Sequence, residues 1–165
     1  MTDSRERDAA GRALNARPRD ELGRPLPRGS IGVPRISEDV TYTPEQALIT
    51  AQDLLNRGRA FHAHEVFESI WKSSAAADRW MWRALAQLAV GITHAQRENR
   101  SGAIALLRRA AETIDRPALH DVDGVALAAY ARTLADQLEA GGDPTATALA
   151  PRLTRGKPND KPFTN

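Results

Sequence analysis

Three side chains that could do chemistry share one face of a predicted helix. His64, Glu68 and Trp71 stand at i, i+4 and i+7 in the run Ala60–Ser73, a spacing that stacks them on one side of an α-helix. An imidazole beside a carboxylate can ligate a metal ion, or it can act as a general acid or base that the carboxylate tunes. Apolar residues of the same run fall on another face. The sequence therefore predicts a helix with both a core-facing side and a candidate site.

A second polar stripe falls on a helix predicted over about residues 79–98. Gln87 and His94 lie seven residues, or two turns, apart on one face, and Gly91 stands between them. Because glycine inside a helix costs about 1 kcal/mol relative to alanine, Gly91 indicates that another backbone or a ligand approaches closely. If this helix packs antiparallel to the first, the two polar stripes can meet between apolar walls.

The meeting of these stripes would allow three kinds of structure. The first is a pocket for a small ligand or a protein partner, and the second is a hydrogen-bonded network that only fixes the register of the helices. The third is a metal-dependent or acid/base hydrolase site, in which His64, Glu68 and His94 would hold a divalent metal ion or share proton transfer. Glu68 and Lys72 also have the i, i+4 spacing of a surface ion pair.

Composition excludes several functional classes. The 165 residues include no cysteine, which removes disulfides, thiolate zinc sites and cysteine nucleophiles, so that a metal would need histidine and carboxylate ligands. Net charge is only +2, and no nucleic-acid-binding motif is visible. The near-apolar run 84–92 is far shorter than the roughly 20 residues that span a bilayer, and the N-terminus lacks the apolar core of a signal peptide. We expect one cytoplasmic domain with neither a nucleic-acid nor a membrane partner.

The chain divides into three segments by composition. Residues 1–42 are rich in Arg, Pro and Gly, which favours either disorder or an extended arm that lies across the domain. Residues 43–141 carry helical periodicity, and residues 142–165 form a Pro- and Thr-containing tail that we expect to be loose beyond Leu153.

Start and stop signals predict an all-α domain, a compact array of about five antiparallel helices with no strand. Thr43, Pro44 and Gln46 form a capping-box signal, Gly58 fits a helix end, and Asp78 is a candidate N-cap. The predicted helices span about 44–57, 60–73, 79–98 and 102–115, with a fifth that is capped by Asp121 or Asp123 and ends at Gly141–Gly142.

The run from Leu54 to Lys72 resembles the signature helix of family 309 of domains of unknown function, with its pattern His-Glu-x-x-Glu-x-x-Trp. The resemblance continues through 85–94 and 98–107, and it covers about residues 44–116. It implies a compact helical bundle of small soluble bacterial proteins with no established activity. The N-terminal arm resembles an extension of actinobacterial members, which implies that it docks on the domain.

Carried over position by position, the characteristic polar residues of the family fall on one set of side chains. These are His64, Glu65, Glu68, Trp71, Gln87 and His94. The sequence departs from the family at His62, where an acidic residue is common, and at Glu98, where the turn usually has a glycine before Asn99.

Overall fold

The computed structural model describes residues 17–37 and 40–156, and it confirms the all-α prediction. Its helices are α1 (Pro44–Asn56), α2 (Ala60–Ser73), α3 (Arg79–Gln96), α4 (Arg100–Ile114) and α5 (Gly124–Glu139), followed by a 3₁₀ turn, Thr147–Leu149. Each helix packs against the next along the chain. The described ranges contain no β-strand, only two isolated bridges.

The capping signals explain most of the helix starts. Thr43 Oγ1 accepts a hydrogen bond from the Gln46 backbone at 3.2 Å, and the Gln46 side chain accepts one from the Thr43 backbone at 3.0 Å, so the predicted capping box is confirmed. Asn99 and Asp123 cap α4 and α5 in the same way. Because Asn99 is the cap, α4 begins at Arg100, two residues before the predicted start.

Asp78 is an exception among the caps. It occupies the residue before α3, but its side chain makes no capping hydrogen bond. Its Oδ2 instead accepts a hydrogen bond from His120 Nε2 at 2.9 Å, and the His120 ring stacks on Trp82 with centroids 5.9 Å apart. Asp78 is therefore the N-cap residue by position, as predicted, but its carboxylate binds a histidine from the α4–α5 loop and not the helix backbone.

Gly91 marks the close approach of two helices. A Cβ atom at this position would lie 3.0 Å from Leu107 Cγ and 3.3 Å from the Leu107 backbone nitrogen. Leu107 is fully buried, so α4 fills the space that a side chain at residue 91 would need. Of the two explanations for this glycine, the structure supports the approach of another backbone.

This contact predicts a coupled effect on stability. Gly91→Ala adds helix propensity of about 1 kcal/mol, but overpacking against Leu107 costs about 1–3 kcal/mol, and we expect a net loss. In a Leu107→Ala background the same substitution should instead stabilise the protein, because the clashing side chain is gone. Urea unfolding of the two single variants, the double variant and the unsubstituted protein measures this coupling. Effects that add within about 0.5 kcal/mol would contradict it.

The N-terminal arm docks on α2 around one aromatic ring. The guanidinium carbons of Arg19 and Arg97 lie 5.3 and 5.7 Å from the centroid of the Phe61 ring. Arg97 also donates two hydrogen bonds, at 2.8 and 2.5 Å, to the backbone oxygen of Leu22. A Cβ atom at Gly23 would lie only 2.2 Å from the Phe61 ring, so the arm backbone rests directly on the aromatic face.

Side chains on both sides of Phe61 in the sequence extend this contact. Arg59 pairs with Glu21 at 3.3 Å, and the Ser69 hydroxyl donates to the backbone oxygen of Val40 at 3.2 Å. Of the two alternatives for the arm, residues 17–37 adopt the docked one, whereas residues 1–16 lie outside the described part of the chain.

Two glycines of the arm provide a matched test of this docking. Gly23 and Gly29 both have a positive φ, +71° and +85°, but a Cβ atom at Gly29 would meet nothing within 4 Å. Gly23→Ala should therefore displace the arm, whereas Gly29→Ala carries the backbone strain alone. Hydrogen exchange of the Leu26 and Val33 amides, which donate to arm carbonyls, measures the difference. We expect about 5–30-fold faster exchange in Gly23→Ala than in Gly29→Ala, and equal rates would contradict the contact.

The described part of the tail also packs against the domain. Leu153 is buried, Thr154 forms a bridge with Val122, and the Arg155 amide donates to the Asp121 carbonyl at 3.0 Å. The prediction of a loose chain beyond Leu153 is wrong for Thr154 and Arg155, because backbone hydrogen bonds to the loop before α5 hold them. Residues 157–165 lie outside the described part.

Candidate functional site

A surface groove of about 240 Å³ opens between α2 and α3 and reaches the first half of α4. We call it the α2–α3 groove. Polar and apolar side chains from the three helices line it: His64, Glu68, Trp71, Arg83, Ala86, Gln87, Val90 and Leu106.

The groove brings together four of the six side chains predicted as pocket residues. His64, Glu68 and Trp71 line it from α2 at their expected i, i+4 and i+7 positions, and Gln87 lines it from α3. Sequence analysis missed Arg83, which stands one turn before Gln87 and on the same helix face. The i−4 spacing from Gln87 was the signal that could have found it.

Glu65 faces the arm and is not among the residues that line the groove. Its Oε1 lies 3.3 Å from Arg35 Nη2, and its side chain is only 11% exposed. Neighbouring residues on a helix point about 100° apart, so the position next to His64 turns toward a different neighbour. Glu65 thus belongs to the contact between arm and domain.

His94 also lies outside the groove, in the last turn of α3. Its Nδ1 accepts a hydrogen bond from the Asn99 side-chain amide at 2.8 Å. Seven residues of helix span about 10 Å, and at this end of α3 the neighbouring chain is the start of α2, where Gln96 donates to the Gly58 carbonyl at 2.8 Å. The antiparallel arrangement therefore carries His94 past His64 instead of toward it.

The predicted set of three metal ligands is consequently not assembled. His64 and Glu68 lie together, but His94 does not join them. Within residues 17–37 and 40–156, no three His, Asp or Glu side chains are grouped so that they could hold one metal ion.

On α2, three side chains one turn apart form a weak ladder of charges. His64 Nε2 lies 3.8 Å from Glu68 Oε2, which is too far for a hydrogen bond. Glu68 Oε1 lies 3.5 Å from Lys72 Nζ, and both side chains are well exposed. Pairs of this kind contribute about 0–1 kcal/mol to stability, so Glu68 keeps most of its capacity to accept hydrogen bonds from another group.

Several polar groups of the groove have no protein partner. Gln87 Oε1 and His64 Nδ1 are buried atoms without a hydrogen bond. The exposed guanidinium of Arg83 makes no hydrogen bond or ion pair with any part of the described chain. A buried polar atom that is left unpaired costs about 1–3 kcal/mol, and no hydrogen bond in the described ranges joins Gln87 to the polar stripe of α2. The contacts therefore do not form the register-fixing network that was one alternative.

Burial lowers the pKa of His64 below its ordinary value of 6.5. The carboxylates of Glu68 and Glu65 offset part of this effect, and the carbonyl of Phe61 acts in the same direction although its geometry falls short of a hydrogen bond to Nδ1. The ring is therefore neutral at pH 7, with one nitrogen that donates and one that accepts.

Substitution of Glu68 should lower the pKa of His64 further. Glu68→Gln removes the carboxylate that most favours the protonated ring, and the burial that opposes protonation stays. An NMR titration of the imidazole measures the change, with Glu45→Gln, an exposed acid on α1, as the control. An unchanged or higher pKa in Glu68→Gln would contradict the described geometry.

The sign of the accompanying stability change follows from linkage. The unfolded chain binds a proton at His64 near pH 6.5, whereas the folded chain binds it only at lower pH. Unfolding therefore takes up a proton in this window, and the His64 contribution to the free energy of unfolding falls as the pH drops below about 6.5.

Fold and site define a small helical domain with a polar groove on its surface. Residues 48–106 match the model of a family described as a domain of unknown function (DUF309). The matching model is that of the family named from the sequence resemblance, and the match includes every residue that lines the α2–α3 groove. Helix α5, the arm and the tail lie outside it.

Comparison with curated proteins and with solved structures gives no match. In the described ranges, no helix combines the length and the apolar character that crossing a bilayer requires.

Proposed function

We propose that the α2–α3 groove binds a small amphipathic molecule. Trp71, Ala86, Val90 and Leu106 provide an apolar wall, and polar groups stand beside it. Sites for drug-sized ligands enclose about 300–1,000 Å³, whereas this groove encloses about 240 Å³. Its size therefore suits a small molecule.

The observation that carries this proposal is the unpaired side-chain oxygen of Gln87. Buried acceptors almost always have a partner in folded proteins, and this one has none in the described chain. A ligand that donates an N–H or O–H group into the groove would satisfy it. A purely structural role would instead require a partner within the protein.

Hydrolase chemistry has less support from the same geometry. His64 and Glu68 would have to act without His94, and no side chain of the groove is a hydroxyl or thiol nucleophile. Binding without chemistry uses every polar group that the groove presents, and it is the function that the arrangement supports best.

Gln87→Leu separates a ligand site from a structural network. Because the substitution removes an unsatisfied buried oxygen, we expect the ligand-free protein to become more stable by about 1 kcal/mol and to lose its ligand. A network that fixes register would show the opposite, a loss of stability. Thermal unfolding of both proteins after extensive dialysis measures this difference.

Blocking the groove tests binding directly. Full-length protein is incubated with a low-molecular-mass cell extract and passed over gel filtration, and the retained small molecules are identified by mass spectrometry. Ala86→Trp, which fills the groove, should abolish retention. Ala105→Trp, on the exposed face of α4, should leave retention unchanged. Retention of the same molecules by the unsubstituted protein and by Ala86→Trp would contradict the proposal.

A further inference from the structure

We infer that the ligand of the α2–α3 groove is an α-amino acid with an apolar side chain, bound as its zwitterion. This inference rests on the proposed function, because it names the ligand class of the same groove. It follows from three features: an unpaired cation on α3, one acceptor on each of α2 and α3, and an apolar wall between helices.

The cation is Arg83. Its guanidinium has no protein partner in the described ranges and lies no closer than 4 Å to any carboxylate there. Arginine presents its donors in a planar fork that matches a carboxylate with two parallel hydrogen bonds. We therefore place the carboxylate of the ligand beside Arg83, on the α3 side of the groove.

The acceptors match an ammonium group. An –NH₃⁺ group presents three donors and no acceptor. The groove offers the Glu68 carboxylate from α2 and the unpaired Gln87 Oε1 from α3. The groove thus offers one acceptor from α2 and one from α3 to an ammonium group.

The charges of the groove also balance only for a zwitterion. Arg83 contributes one positive charge and Glu68 one negative charge, and they do not neutralise each other. A simple amine would leave the guanidinium without a partner, and a simple carboxylic acid would leave Glu68 with only the exposed contact of Lys72 Nζ at 3.5 Å. A ligand with both charges pairs each of them.

The apolar wall specifies the side chain. Trp71, Val90 and Leu106 offer carbon surface beside the charged groups, which an aliphatic or aromatic side chain can cover. A charged side chain would be desolvated there without a partner. Leucine has the required combination of groups and serves as the probe.

Isothermal titration calorimetry of the full-length chain tests the ligand class. The probes are L-leucine, 3-methylbutylamine, 4-methylpentanoate, 2-hydroxy-4-methylpentanoate and L-glutamate, which remove or replace one feature each. We expect leucine to bind and each other compound to bind at least about tenfold more weakly, as the loss of a charge-assisted hydrogen bond implies.

Charge-removing variants assign each end of the ligand. Arg83→Gln should weaken leucine but leave 3-methylbutylamine unchanged, and Glu68→Gln should weaken leucine but leave 4-methylpentanoate unchanged. Arg109→Gln, on the exposed face of α4, serves as the control and should change neither.

The outcomes separate this inference from the proposed function. If the amine, the carboxylate or the hydroxy acid binds as tightly as leucine, the zwitterion inference is overturned and groove binding stands. If no probe binds, the inference is likewise overturned, and retention from the cell extract decides the proposed function on its own. If leucine binds to Ala86→Trp as tightly as to the unsubstituted protein, its site lies elsewhere and the inference fails.

Discussion

The distance between α3 and α4 is set by the missing side chain at Gly91, and the groove depends on that distance. Because Leu107 fills the space beside this glycine, α4 approaches closely enough for Leu106 to reach the edge of the groove. On α3, the residue before the glycine is Val90, which lines the same wall. The packing contact and the candidate site are therefore adjacent positions on the same two helices. A larger residue at position 91 would push α3 and α4 apart, both in the core and at the apolar wall of the groove.

Helix α2 carries two roles on two faces. Phe61 and Glu65 face the arm, where Arg97 and Arg35 meet them, whereas His64 faces the groove. The arm fixes the first half of the helix that presents the site. Two carboxylates three residues apart consequently have different ion-pair partners: Glu65 is largely covered and pairs with Arg35 of the arm, and Glu68 is more exposed and lies near Lys72 of its own helix.

Local signals in the sequence were enough for the helices. Thr43, Asn99 and Asp123 cap their helices through contacts within three residues, which is the range that a sequence pattern can express. The i, i+4, i+7 stripe of α2 was likewise a local prediction, and its three side chains do share the groove. Contacts between residues far apart in the sequence could not be predicted in this way. Asp78 is an example, because its carboxylate accepts a hydrogen bond from a histidine 42 positions later.

Positions along the helix axis were harder to predict than positions around it. Periodicity correctly placed Gln87 beside the α2 stripe, but it gave no measure of how far two antiparallel helices slide past each other. That displacement carries His94 to the α3–α4 turn, where Asn99 binds it. The same turn holds Glu98 at a φ of +61°, the position at which the family resemblance indicated a glycine.

Part of the docking of the arm is through its backbone. Arg97 binds the carbonyl of Leu22, and Ser69 binds the carbonyl of Val40. A carbonyl oxygen is the same in every amino acid, so these contacts place little demand on the identity of the residue that provides it. Over evolutionary time the residues at positions 22 and 40 can therefore change without loss of these hydrogen bonds, whereas Arg19, Glu21 and Arg35 are constrained by the domain residues that their side chains contact.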